Sequence, residues 1–260
     1  MSDARAAVLL GAAFAAALVV FRGWPGIDLS VSALFHDAAT GDWAGSAPPG
    51  ETLREVFWTA TELAAAVFAL ALVVSLARRG RAAVPARVWL FGLSALALGP
   101  GLLVNGLLKV QWHRPRPRTV AEFGGGADFT PAWQVAGACE RNCSFVSGEA
   151  AAILTLALVL WLIAGRRLPG AGRLVVAGVL AAAVLVASGL RLASGGHFLS
   201  DVVFAWLLCA TVTLALWRLT GADRAAARLT PAALRADLMA PLMAVGRAIR
   251  GLRRNRPDRK

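Results

Sequence analysis

His197 and Asp201 stand four residues apart in Arg-Leu-Ala-Ser-Gly-Gly-His-Phe-Leu-Ser-Asp, the stretch from Arg191 to Asp201, where a long apolar run breaks and then resumes. On a helix that spacing puts both side chains on one face, within reach of each other. A carboxylate bonded to one ring nitrogen fixes the tautomer and leaves the other nitrogen free to attack or to accept a proton. The plainer reading is a histidine that caps a helix and an aspartate that starts one. Two more stretches bear on the choice. In Lys-Val-Gln-Trp-His-Arg-Pro-Arg-Pro, Lys109 lies seven residues before Arg116-Pro117. In Cys-Ser-Phe-Val-Ser-Gly-Glu, Cys143 leads to Ser147, Gly148 and Glu149.

These residue types suit one chemistry. Arg116 and Arg191 carry forked donors that match phosphate oxygens, and Lys109 adds a point charge. Ser147 and Gly148 precede an apolar run, and the free N–H groups at a helix start bind anions. His197 supplies a nucleophile, Asp201 its orientation, and Glu149 a proton for a leaving group. That set suffices for phosphoryl transfer. No His/Cys/Asp/Glu cluster has zinc-ligand spacing, and no glycine loop has the nucleotide-binding form, so neither metal nor cofactor is expected.

The elements that must position these groups are membrane helices. The chain is 58% hydrophobic over 260 residues, too apolar for a soluble domain of that size. The charge is +12, from 27 Lys+Arg against 15 Asp+Glu. A basic balance often points to nucleic acid, but here the arginines fall between apolar runs, so no nucleic-acid partner is expected. The runs are roughly Ala6–Phe21, Phe57–Ala77, Val88–Leu108, Glu149–Ala164, Leu174–Leu190 and Val202–Leu219. A spanning helix needs about 17–25 residues, so the first and fourth borrow flanking residues. The first is read as an uncleaved helix; a signal peptide is the alternative.

Charge sets the orientation. Arg78, Arg79, Arg81 and Arg87 lie between the second and third runs, and Arg166, Arg167 and Arg173 between the fourth and fifth, without an acid. The positive-inside rule makes these sides, and both termini, cytoplasmic. Trp24, Trp58 and Trp112 then sit near outer ends of runs, and Trp89, Trp161 and Trp217 near inner ends. Lys109, Arg114, Arg116 and Arg118 violate the rule. Either the topology is wrong there, or the four cations hold an anionic ligand outside. Gly99-Pro100-Gly101 predicts a kink or local unwinding. Glu62 and Asn105, polar within runs, read as interior hydrogen-bonding residues. All three chemical stretches fall on the outer face.

At this point the chain resembles the type-2 phosphatidic acid phosphatases, which share a core with vanadium haloperoxidases. That family carries Lys-x6-Arg-Pro, then Pro-Ser-Gly-His, then Ser-Arg-x5-His-x3-Asp. The first is matched by Lys109, Arg116 and Pro117, the second by Ser147 and Gly148, the third by Arg191, His197 and Asp201. The resemblance covers about residues 88–219. It implies that His197 attacks phosphorus and forms a phosphohistidine, that Asp201 orients it, and that Lys109, Arg116, Ser147, Gly148 and Arg191 hold the phosphoryl oxygens. Val146 replaces the family proline and Leu190 the serine. Glu149 replaces the histidine that serves as leaving-group acid, which puts that role in doubt. Either Glu149 is protonated when substrate is bound, or His113 donates, or the leaving group needs little protonation.

The expectation is therefore an all-α, integral membrane six-helix bundle in a bacterial inner membrane, with its site facing the periplasm. Its phosphatase domain spans 1–220 and a basic cytoplasmic tail spans 221–260. The substrate is a lipid phosphate or diphosphate held in the bilayer. The second motif is closer to the lipid A phosphatase branch, with undecaprenyl diphosphate and phosphatidylglycerol phosphate open. A lipid phosphotransferase and a non-catalytic lipid-phosphate-binding protein are the rivals; a transporter is weaker. Cys139 and Cys143 could form a disulfide in an oxidising periplasm; Cys209 reads as core and His36 as a surface residue. In the tail, Thr230-Pro231 reads as a helix start. A basic amphipathic stretch follows, broken near Pro241.

Overall fold

The computed structural model describes residues 3–132, 134–237 and 239, and among them it holds helices and isolated bridges but no strand. The elements are α1 (Asp3–Gly23), α2 (Gly26–Ala33), α3 (Pro48–Ala77), α4 (Ala86–Leu96), α5 (Lys109–Trp112), α6 (Gly148–Ile163), α7 (Gly170–Ala193) and α8 (Leu199–Leu219). Six spans are long and apolar enough to cross a membrane. They correspond to the six apolar runs. Large side chains such as Leu63, Val67, Leu70, Leu174 and Val179 point outward with more than half of their surface exposed, as lipid-facing positions do.

The bundle is built around α6. Eleven of its 16 residues are buried, and it packs against α3, α4, α7 and α8. Ala150, Ala151 and Ala152 open it with small side chains, which lets neighbouring backbones come close. A cluster of Phe68, Val88, Phe91, Leu156, Val159 and Trp217 fills one end of the bundle. A second cluster of Phe21, Val104, Phe145, Val146, Phe204 and Cys209 fills the other, beneath the chemical stretches.

Two features of the spans position the site. The third span unwinds locally around Gly99-Pro100-Gly101, as the sequence predicts, without breaking. It widens into a π-helix over Ala97–Leu108, which joins α4 to α5. Pro100 has no N–H and its ring crowds the carbonyl four residues back, and the wider turn accommodates both. Gly99 faces α8, with Cys209 Sγ at van der Waals distance, 3.4 Å, from where a Cβ would stand. The second feature is α3, which begins at Pro48, well before the apolar run. Proline suits the first helical turn, and the added turns carry Glu51 and Arg54 towards the site. Glu62 is exposed on α3 and does not face the interior.

At the other end, residues 231–237 form a helix whose Thr230 hydroxyl accepts the Ala233 N–H at 3.1 Å. Asp237 accepts the Ala83 and Val84 N–H groups, each at 2.9 Å, and pairs with Arg78. The remainder of the expected amphipathic stretch, with Pro241, lies outside the described residues. Packing is tight where α3 crosses α4: a Cβ on Gly92 would lie 2.9 Å from the Phe68 ring. Gly92→Ala should therefore lower stability by about 1–3 kcal/mol, read as a lowered denaturation midpoint in detergent. Phe68→Leu should restore part of the loss in the same background.

Candidate active site

The three chemical stretches meet at one end of the bundle. The charges of Lys109, Arg116 and Arg191 all bear on the His197 ring. Arg116 comes from the loop after α5, and its guanidinium is gripped along one edge by a single residue. Nε donates to the Asn142 carbonyl at 2.9 Å and Nη2 to the Asn142 side-chain oxygen at 2.8 Å. Lys109 Nζ reaches the same side-chain oxygen at 3.4 Å. Arg191, in the last turn of α7, is buried, and its Nε has no hydrogen-bond partner among the described residues. A buried donor left open in this way has a strong demand for an acceptor. Gly196 makes room for that guanidinium, since a Cβ there would lie 2.4 Å from Arg191 Nη2.

Ser147 caps α6, with its hydroxyl accepting the Ala150 N–H at 3.4 Å. Gly148 follows as the first helical residue and packs on the π-helix: a Cβ there would lie 2.6 Å from Asn105 Oδ1. A larger residue would have to displace the Asn105 side chain, and the contact sets the N-terminus of α6, with its partial positive charge, beside the cationic cluster.

His197 is fully enclosed, and its Nδ1 lies 2.7 Å from the Ser144 carbonyl oxygen. A carbonyl only accepts, so Nδ1 carries the proton and Nε2 keeps its lone pair. The Asp201 carboxylate stands 3.7 Å from Nδ1, beyond hydrogen-bond range, and acts on the ring as a charge. Burial pushes the His197 pKa down to about 3; Asp201 opposes the shift, and the charges of Lys109, Arg191 and Arg116 add to it. The imidazole is therefore neutral throughout the physiological range.

Asp201 has other partners. It accepts the Ser144 hydroxyl at 2.5 Å and the Phe198 N–H at 2.8 Å, and Arg114 Nη1 at 2.6 Å. Arg114 was grouped by sequence with the cations facing a ligand. It is instead fully buried, spans to Asp28 on α2 at 2.8 Å, and bonds Ser200 at 2.9 Å. Asp28 also accepts the Ser200 hydroxyl at 2.6 Å and the Ser200 N–H at 2.8 Å. Burial pushes the Asp28 pKa up, against the pull of Arg114.

Glu149 lies in the first turn of α6 with its Oε1 3.1 Å from Arg54 Nη1 and 3.7 Å from Arg191 Nε. Arg54 is held in turn by Glu51 at 2.7 Å. Cys139 and Cys143 are joined in a disulfide, and His113 Nδ1 donates to the Cys139 carbonyl at 2.7 Å. His36 is not a free surface residue: its ring lies 5.1 Å from Trp43 and 5.2 Å from Phe123. Trp43 covers Gly195, whose φ of +61° and lack of a Cβ permit the contact.

Sequence reasoning missed Arg54, Asp28, Ser144 and Asn142. The first two lie far along the chain from their partners and carry no local pattern. Ser144 lies inside the second stretch but matches no position of the family pattern, and Asn142 lies just before it, next to Cys143.

Two predictions follow from this geometry. The 15N shifts of His197 should report a neutral ring protonated at Nδ1 from pH 7 to pH 5; an imidazolium at pH 6, or a proton on Nε2, would contradict the Ser144 bond. Arg114→Leu leaves two buried carboxylates unopposed and should cost about 3–5 kcal/mol at pH 8. Protons can neutralise those carboxylates in the folded state, so it binds more protons than the unfolded chain and the cost should shrink as pH falls towards 5. Unfolding midpoints of wild type and variant across that range test this.

Residues 87–225 match the PAP2 superfamily model. Over 219 residues the chain is 38% identical to a lipid A 4'-phosphatase of Rhizobium etli, covering 79% of this chain and 83% of that protein. It is 39% identical over 219 residues to that of Rhizobium leguminosarum, covering 79% of this chain and 92% of the relative. The lipid A 4'-phosphatase of Francisella tularensis subsp. novicida is 38% identical over 109 residues, 42% of this chain and 47% of that protein. No solved structure gives a significant match. The superfamily match over residues 87–225, and the two Rhizobium relatives aligned along most of their length, place this six-span chain in the PAP2 superfamily as a membrane lipid phosphatase.

Proposed function

We propose that this phosphatase removes a phosphate from the sugar of a lipid A-type lipid at the periplasmic face of the inner membrane, through a phosphohistidine at His197. The observation that carries the reading is the bond from His197 Nδ1 to the Ser144 carbonyl at 2.7 Å. It leaves Nε2 as an unprotonated nucleophile in a buried, cation-rich setting. The names of the Rhizobium relatives support the substrate class. The charge asymmetry of the loops supports the outward site, with both termini cytoplasmic.

The reaction runs in two steps. Lys109, Arg116, Arg191 and the start of α6 hold the phosphoryl oxygens and offset the charge that develops on them. Nε2 attacks phosphorus as the bond to the sugar oxygen breaks, and the protonated Glu149 carboxyl gives its proton to that oxygen. Water then attacks the phosphohistidine, Glu149 takes the proton that water loses, and the N–P bond breaks to release phosphate. Glu149 is tied to Arg54 and approached by Arg191. A bound phosphate dianion competes for those guanidinium groups and favours the protonated carboxyl.

The test is phosphate release from a purified lipid A phosphate, with undecaprenyl diphosphate and phosphatidylglycerol phosphate alongside. Glu149→Gln should lose about 10²–10⁴-fold in kcat on the phosphomonoester, and Glu149→His should retain more activity than the glutamine. Full activity in Glu149→Gln would end the acid role. Transfer of label to a second lipid in place of free phosphate would mark a phosphotransferase.

A further inference from the structure

We propose that Asn142 is a positioning residue for the phosphate-binding cations, and that the Cys139–Cys143 disulfide is what keeps it in place. The catalytic consequence rests on the phosphatase reading above; the anion-binding consequence rests on the cationic cluster alone.

Asn142 does two things to Arg116. By taking both Nε and Nη2, it occupies one edge of the guanidinium and fixes the plane of the group. The other edge, with Nη1, has no protein partner among the described residues and is presented for an oxyanion. A planar fork held in advance loses less freedom when it binds. The same amide oxygen bonds Lys109 Nζ at 3.4 Å, so two like charges are brought together by one neutral acceptor. An amide oxygen can do this without competing as an anion, since it brings no net charge. A carboxylate in its place would occupy the cluster as a ligand does.

Nothing buries Asn142. It is exposed, as are Glu140 and Arg141 beside it. Its φ is +52°, in the left-handed region that asparagine tolerates better than most residues. What constrains the turn is the ring closed by Cys139 and Cys143, four residues apart. That ring is anchored on both sides to the segment carrying the cations. Cys139 accepts from the His113 ring at 2.7 Å, and Ser144 N–H, next after the ring, donates to the Arg114 carbonyl at 2.8 Å. Opening the disulfide leaves the anchors but frees the exposed turn between them. Arg116 and Lys109 then lose a fixed acceptor while Ser144 keeps its hold on His197. The expected defect is therefore in phosphate binding, with the nucleophile intact.

The experiment is calorimetric titration of the full chain in detergent with inorganic phosphate, alongside kinetics on a lipid phosphate. Asn142→Gly keeps the left-handed turn and removes only the side chain. It should weaken phosphate binding about tenfold, the scale of one charge-assisted contact, and raise KM with kcat within about threefold of wild type. Asn142→Asp, which also tolerates the turn, should bind more weakly still. The Cys139→Ser/Cys143→Ser double variant should match Asn142→Gly, and combining all three changes should add less than about twofold, as coupled sites do. Wild-type phosphate affinity in either Asn142 variant, or losses that multiply in the triple variant, would overturn the proposal. A wild type that binds phosphate with this pattern but releases none from any lipid would remove the phosphatase reading and leave the role of Asn142 standing.

Discussion

The charge of Arg114 is buried, and the site end of the bundle is arranged around that fact. A guanidinium with no exposed surface is tolerable only when carboxylates and acceptors meet it closely. Asp28 and Asp201 do so at 2.8 Å and 2.6 Å. The Thr130 carbonyl takes Nε at 2.8 Å, and the rings of Phe129 and Phe198 lie over the group. These partners come from α2, from the loop after α5 and from the start of α8. One cation therefore ties together segments that share no covalent neighbourhood. Any displacement of one segment exposes an unpaired charge in a place where water does not reach it, so the arrangement behaves as a unit.

His197 inherits its geometry from that unit. Asp201 is held by Arg114, Ser144 and the Phe198 N–H. Its grip on the Ser144 hydroxyl fixes Ser144, and the Ser144 carbonyl fixes the histidine. The carboxylate thus acts through a neighbouring backbone group more than by direct contact. This differs from the relay read from the four-residue spacing, although the spacing did place both side chains together. It also separates two tasks. A neutral carbonyl selects the tautomer without drawing the ring towards the imidazolium form, and the nearby cations keep it neutral. The charge of Asp201 is largely answered by Arg114, which leaves Lys109, Arg116 and Arg191 free for an anion.

The parts legible in sequence were those with a local pattern. Six apolar runs gave six spans because burial in lipid demands length and composition only. Lys109, Arg116, Ser147, Gly148, Arg191, His197 and Asp201 were legible because fixed spacings put them at helix ends. Arg114 was misread because its charge and its place among cations suggested a ligand, whereas its partners lie 86 and 87 residues away along the chain. Arg54 escaped for a similar reason, since α3 starts before its apolar run and a polar helical turn carries no strong signal. The π-helical stretch was legible only as a kink or local unwinding, because Gly-Pro-Gly says that an α-helix is disfavoured there and does not say what replaces it.

What lies outside the residues 87–225 of the superfamily match then takes on a distinct part. The matched segment supplies His197, Lys109, Arg116 and Arg191, which gather at the candidate site. Asp28 comes from α2 and completes the buried charge balance behind His197. Arg54 comes from α3 and meets Glu149 in front of it, at the position where the superfamily pattern has a histidine. Trp43 packs on Gly195, next to Gly196, the glycine that makes room for the Arg191 guanidinium. Arg54 is itself paired with Glu51, so the contact to Glu149 is part of a three-residue chain that runs from α3 to the first turn of α6. The residue that stands where the superfamily pattern has a histidine is therefore joined to the N-terminal segments by a hydrogen bond that no local spacing in the sequence announces.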